Sequence, residues 1–354
     1  MVDSNASDYS ALVGAFRGYV SPVIAILGIL GNIFIIIVFI PESPRSRFSV
    51  YAMFLAVANG ITLITNTLID DFMGRGLHYA TGQKIYYKVD SASEFSCKSV
   101  EYISNVMYFI NSYILVIFSF DRILTIYRPI KFYSIYHKRY AILSCVIVYI
   151  AGFIANSPLL FVQTLVKDPA SRTNFTCRML EDHPVAKFTI GFEVVCIFAI
   201  PFFVVLILNS LICVQFAKLK HTRRRLLPAD RIRSRLEMSR VTGHLAMSTA
   251  FLLLYLPMVC FVLIRLHITL TQVDRYTVYA QRIIDLSKFF SSVKDITYAM
   301  NFLLYMVFLK NFRKRFIRIF RCKGPDPVAS TFKDPGDGRP ATTETHMLES
   351  LGRH

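Results

Sequence analysis

Seven long apolar blocks dominate the chain, at about residues 20–40, 50–69, 98–121, 141–162, 188–214, 244–266 and 286–309. A bilayer's hydrocarbon core, roughly 30 Å thick, is crossed by about 20 helical residues, because each adds about 1.5 Å of rise. Every block reaches that length, although Lys294 and Asp295 interrupt the last. Hydrophobic residues make up 54% of the 354 positions, and mean hydropathy is +0.46. A soluble chain of this length would instead show two or three domains with polar linkers. The expected fold class is therefore an all-α membrane protein, a bundle of seven transmembrane helices. Residues 1–10 are polar and lack a basic start, so the first span is expected to act as its own insertion signal.

Charge orients the bundle. The N-terminus and the connections after the second, fourth and sixth spans share one side, which is balanced in charge; the whole excess of +17 falls on the other. The positive-inside rule makes the basic side cytoplasmic, with the N-terminus extracellular and the C-terminus cytoplasmic. A pI near 9.6 would suggest nucleic-acid binding in a soluble chain. Seven spans argue against that, and the basic face is expected to meet anionic membrane lipid and a protein partner. The two Asn-x-Ser/Thr sequons, at Asn5 and Asn174, both fall on the outer side and are expected glycosylation sites. Cys145, Cys196, Cys213 and Cys260 lie within spans, where a thiol is a small apolar filler. Cys97 and Cys177 are the only two in outer segments. Cys322, in Phe320-Arg321-Cys322-Lys323, has the juxtamembrane setting of a palmitoylated cysteine, with a free thiol as the alternative.

The motifs sit on particular spans. The third closes on Asp121-Arg122-Ile123, and an ionisable pair so near hydrocarbon is by default a functional-site hypothesis. The bland alternative is a helix end whose charges snorkel to the headgroups. Gly31-Asn32 lies in the first span, Asn59 in the second and Asn111 in the third. Pro201 interrupts the fifth and Pro257 the sixth, each removing a backbone hydrogen bond and offering a hinge. The seventh ends in Asn301-Phe302-Leu303-Leu304-Tyr305. In this order, over about residues 20–322, these residues resemble the rhodopsin-like (class A) G-protein-coupled receptors.

That resemblance implies a disulfide between Cys97 and Cys177. It implies a switch built from Asp121, Arg122, Ile123, Asn301 and Tyr305, with Glu237 as a further partner for Arg122. Phe251 and Pro257 match the family's Phe-x-x-Cys-Trp-x-Pro, with Tyr255 where the toggle tryptophan belongs. Asn59 stands in place of the sodium-site aspartate and Asn111 in place of a small hydroxyl, so no metal site is expected. A neutral network joining Asn32, Asn59, Asn111 and Asn301 is expected instead. Asn209 takes the place of the fifth helix's inner tyrosine. Phenylalanine for proline in Asn-Phe-Leu-Leu-Tyr is similar to invertebrate receptors for FMRFamide-like or myosuppressin-like neuropeptides. In the implied mechanism an agonist tilts the sixth helix about Pro257, Arg122 is released toward a G protein and Tyr305 swings inward, a two-state switch biased by ligand.

Ligand class is less constrained. Ser104 occupies the position where an amine receptor needs aspartate; Asp295 stands where an opsin carries its lysine, with Lys294 about 100° around the helix. Lys294 and Asp295 either neutralise one another or leave the acid for a ligand. Glu101, Ser104, Tyr108, Glu193 and Asp295 are the candidate ligand-binding residues, their acids suited to a basic peptide; solvated helix-end acids are the plainer alternative. A long polar outer loop at about residues 73–96, with Tyr79, Tyr86 and Tyr87, suits a bulky peptide. The expected function is transduction of an extracellular ligand, a neuropeptide, to heterotrimeric G proteins at the plasma membrane. The alternatives are a receptor for a non-peptide small molecule or pheromone and, remotely, a transporter or channel, which seven spans disfavour. No enzyme activity or cofactor is expected, for the eight histidines are scattered and no nucleotide-binding pattern appears.

The domain reading is an outer segment at 1–19, the helical domain at 20–309, an amphipathic helix at 310–322 and a disordered tail at 323–354. Phe308, Phe312, Phe316 and Phe320 recur every fourth residue among basic side chains, the pattern of a helix lying on the membrane. Arg223-Arg224-Arg225, Arg231, Arg233 and Arg235 form a basic third inner loop. Thr342, Thr343, Thr345 and Ser350 are candidate sites for a receptor kinase whose phosphates would recruit arrestin.

Overall fold

Apolar blocks that lipid will not hydrogen-bond must close their backbone bonds internally, and in the computed structural model they do so as helices. The structure describes the backbone of residues 4–127, 138–168, 175–180, 183–222, 228–270 and 277–320, and side chains within these segments from 9 to 319. Among the described residues, six helices are long and apolar enough to cross a membrane: α1 (Tyr9–Glu42), α2 (Arg47–Ala80), α3 (Glu94–Tyr127), α4 (Arg139–Val162), α5 (Pro184–Lys218) and α6 (Met238–Ile268). The seventh block is split into α7 (Val278–Lys294) and α8 (Ile296–Phe308), followed by α9 (Lys310–Phe320). The chain divides into two units, Met1–Phe316 and Ile317–His354; of the second, only the last turn of α9 is described.

The helices outrun the blocks that predicted them. The backbone of α1 is helical from Ser4 rather than from residue 20, and α2 continues past residue 69 to Ala80. The extra turns persist because their charges are paired: Arg17 Nε of α1 lies 3.0 Å from Asp71 Oδ1 of α2, both side chains almost fully buried, and Arg75 pairs with Asp70 at 3.2 Å. Over Leu63–Gly76 the α2 backbone widens to π geometry. A shorter π segment, Glu193–Ala199, precedes Pro201, whose missing N–H cannot close the usual turn. Pro257 lies within a continuous helix running Pro228–Leu270.

The seventh span is interrupted by a single turn at Asp295, where the sequence already placed the charges Lys294 and Asp295. Asp295 N bonds Ser292 O at 3.2 Å and Tyr298 N bonds Asp295 O at 3.0 Å, both i to i+3, while Thr297 Oγ1 donates to Lys294 O at 2.7 Å. A side chain inserted into the helical ladder, not a proline, tightens the backbone here. Phe302, in the place of the family's proline, lies inside the unbroken α8.

Helix α3 is the axis of the bundle: 72% of its most apolar stretch is buried, against 33–61% in the other five. Ile110, Ile114 and Phe118 are fully enclosed there. At the Cys97 end, β1 (Gln163–Lys167) and β2 (Phe175–Met179) form an antiparallel hairpin with Leu165 opposite Cys177. Two ties hold it to the start of α3. Cys177 is disulfide-bonded to Cys97, with a Cα–Cα distance of 5.5 Å, and the Glu94 carboxylate accepts a hydrogen bond from Leu165 N at 3.0 Å.

Candidate functional site

Two clusters of buried polar and aromatic side chains lie at opposite ends of α3. At the Asp121 end, Asp121 and Arg122 do not snorkel: Arg122 is 2% exposed and Asp121 6%. Arg122 Nη2 donates to Asp121 Oδ2 at 2.5 Å, and Arg47 Nη1 of α2 lies 3.3 Å from Asp121 Oδ1. The Arg122 guanidinium stands 5.6 Å from the ring centres of Phe48 and Phe118, so its charge is spread against aromatic faces as well as the carboxylate. Ile123 packs with Ile126, Ile212 and Val241, joining α3 to α5 and α6. Glu237, the expected second partner of Arg122, lies outside the residues whose side chains are described. On α6, His244 packs edge-on to Phe118 at 4.6 Å, and its Nε2 is 3.3 Å from Ser119 Oγ. Tyr305 is buried among Phe39, Phe48 and Phe312, with its hydroxyl 3.5 Å from Met247 Sδ of α6.

Towards the Cys97 end, Tyr255 fills the toggle position. It is fully buried, packs tilted against Phe251 with ring centres 4.0 Å apart and hydrogen-bonds the Tyr298 hydroxyl of α8. Tyr108 of α3 contacts Phe198 at 5.9 Å and Tyr298 at 6.3 Å. Against this aromatic wall stands a further buried ion pair: Lys294 and Asp295 are both 0% exposed, with Lys294 Nζ 2.9 Å from Asp295 Oδ1 and 4.0 Å from the centre of the Tyr108 ring. Asp295 Oδ2 accepts from Asn66 Nδ2 at 2.7 Å and Thr67 Oγ1 at 2.8 Å, both on α2. A third helix joins through Arg17, whose Nε also donates to Ser292 Oγ of α7 at 2.9 Å.

This geometry revises the ligand candidates. Asp295 is not an acid waiting for a basic ligand; its carboxylate is already filled by Lys294, Asn66 and Thr67. Ser104 and Tyr108 are buried within the bundle. Glu101 of α3 and Glu193 of α5 are partly exposed and interact electrostatically with each other, with Arg75 near the first, and Arg265 and Lys294 near the second. They remain the accessible acids of the set.

The expected asparagine network is also corrected. Asn32 Nδ2 donates to Gly28 O at 2.8 Å and Tyr298 O at 2.9 Å, and Asn111 Nδ2 donates to Thr62 Oγ1 at 2.8 Å. Asn59 Nδ2 is buried without a hydrogen-bond partner among the described residues, and Asn301 is buried in α8. None of the four bonds another; carbonyls and a threonine lie nearer. Asn209 accepts from Ser248 Oγ at 2.8 Å, tying α5 to α6 in place of a tyrosine. In α9, Phe312 and Phe316 turn inward onto Phe39, Phe302 and Phe34, so this stripe packs on α1 and α8 instead of resting on lipid alone. Cys322, Asn174, the Arg223–Arg225 run and the tail threonines lie outside the described residues, and Asn5 is described only as backbone in the first helical turns.

The profile of the 7 transmembrane receptor (rhodopsin family) matches residues 31–298. The chain belongs to that family. It is a multi-pass membrane receptor and not an enzyme. A search of curated proteins returned no match. Arg17, Asp71 and His244 were missed as participants by sequence reasoning. The signal was present for the first two, since a charge inside an apolar helix needs a partner, but their pairing crosses between helices far apart in sequence.

Proposed function

We propose that this receptor transduces an extracellular peptide, of the neuropeptide class, to heterotrimeric G proteins from the plasma membrane. The Cys97 end and the N-terminus face outward and the basic Asp121 end inward, as the distribution of charge supports. The observation that carries the reading is the burial of Arg122 between Asp121, Phe48 and Phe118. A guanidinium buried so deep against the Asp121 carboxylate and the rings of Phe48 and Phe118 is kept from bulk water in one state and available to a partner in another. Phe118 relays to His244 on α6, so movement of α6 about Pro257 would unpack the face of Arg122. Outside, the hairpin pinned over α3 and the acids Glu101 and Glu193 suit a ligand with a basic side chain. Receptor kinase and arrestin would act on the tail, and α9 would rest against lipid through its basic flank.

A peptide-library screen of cells expressing the receptor, read by G-protein dissociation, tests the ligand class; responses to amines or light without any peptide response would overturn it. For the switch, Arg122→Ala is expected to reach the surface and bind the identified peptide while losing at least about tenfold in signalling, the scale of a typical allosteric coupling. Normal signalling by that variant would refute the assigned role.

A further inference from the structure

At the inner end of α1, Glu42 holds two cations from two other helices. Its Oε1 accepts from Arg240 Nη2 of α6 at 2.5 Å and its Oε2 from Arg315 Nη1 of α9 at 2.8 Å. One residue before Arg240, Ser239 Oγ of α6 donates to Phe308 O at the end of α8, 3.1 Å away. The end of α6 is thus tied to the connection after α1 and to the α8–α9 corner by charge and hydrogen bond. Below these ties lies a cavity of about 560 Å³, bounded by Phe39, Phe48, Phe216, Leu309 and Phe312, with Glu42 and Arg240 at its polar edge. Lys310, Arg313 and Lys314 of α9 are exposed, so Glu42 ties the end of α6 to a helix whose described charges are basic.

We infer that Glu42 is a clasp holding the inner end of α6 closed, an autoinhibitory contact separate from the Arg122–Asp121 pair. Its carboxylate bridges α6 and α9 only while α6 lies against the α8–α9 corner; outward movement of α6 separates Arg240 from Glu42 and opens the cavity. This rests on the proposed movement of α6, and the clasp sets how much of the receptor is open without ligand. Arg122 sits under aromatic rings on α3, whereas Glu42, Arg240 and Arg315 are 15%, 23% and 41% exposed, so the clasp is the outer and more salt-sensitive of the two restraints.

The test uses the full-length receptor at matched surface expression, without ligand. Glu42→Gln keeps the size and a hydrogen-bond acceptor but removes the charge. It is expected to raise basal dissociation of a panel of heterotrimeric G-protein sensors about fivefold. Arg240→Gln should do the same, and Arg122→Ala combined with Glu42→Gln should abolish the rise. Hydrogen exchange on detergent-purified protein supplies a measurement independent of G proteins: amides of 238–245 at the end of α6 should exchange faster in Glu42→Gln, while those of 110–118 in α3 do not change. Should Glu42→Gln fail to reach the surface, Arg240→Gln replaces it in both measurements, removing the charge from the other side of the same contact. Unchanged exchange at 238–245 would overturn the clasp whatever the sensors report. Faster exchange with silent sensors would keep the clasp and count against G-protein coupling.

Discussion

Lys294 and Asp295 are neighbours in sequence, yet both are enclosed because the i to i+3 turn at Asp295 aims their side chains to the same interior, against Tyr108, Asn66 and Thr67. Two charges out of water cost several kcal/mol each unless each finds a partner, and removing one partner leaves the other uncompensated. Lys294→Met and Asp295→Asn are each expected to destabilise the receptor by about 3–5 kcal/mol, while the double variant recovers most of the loss. Unfolding temperatures of detergent-purified protein measure this; single variants as stable as the wild type would show that the pair contributes nothing. The sequence offered the correct alternative for these residues, mutual neutralisation, but could not choose it over ligand binding. That choice depends on Asn66 and Thr67, on α2 and 228–229 residues earlier in the chain.

Among the elements, α1 and α2 show how backbone contact fixes where helices run together. Gly76 is helical in φ, so its lack of a side chain matters for space: a Cβ there would fall 2.2 Å from Arg17 O and 2.4 Å from Arg17 C. Those are backbone atoms and cannot swing aside. Gly76→Ala should force α1 from α2, strain the Arg17–Asp71 pair and cost about 1–3 kcal/mol or more. Gly60, in the same helix, has nothing within 4 Å of a built Cβ, and Gly60→Ala should be neutral or stabilise by up to about 1 kcal/mol. Thermal unfolding of the two variants side by side checks the contrast; an equal, small stabilisation at both sites would mean that helix propensity, not the α1–α2 approach, governs them. Gly28 plays the corresponding part against Ala299 of α8, where a Cβ would meet another at 2.6 Å. The Gly31-Asn32 motif thereby acquires a physical content, with Gly31 seated on Phe302 and Asn32 bonded to the Tyr298 carbonyl.

At the scale of the molecule, orientation is the property that membrane insertion fixes, and it can be read directly. If the N-terminus and the hairpin face outward, receptor from a glycosylating cell should lose apparent mass on glycan removal, and Asn5→Gln with Asn174→Gln should abolish that shift. An unshifted wild-type band would contradict the proposed orientation. The number of spans, their order, the charge asymmetry and the cysteine pair were legible because each depends on composition within one segment or on a rule tied to the membrane. The Asp121-Arg122 pair was legible as a site for the same reason: an apolar span that ends on buried charge is anomalous in one dimension. Whether that pair snorkels or packs was settled by Phe48 and Phe118, and the links through Arg17, Glu42 and His244 run between helices that no local pattern relates. Sequence alone therefore determined what crosses the membrane, since hydrocarbon selects residues one segment at a time. Only the tertiary structure decided which charges meet inside, since a buried charge is tolerated only where another helix brings its partner.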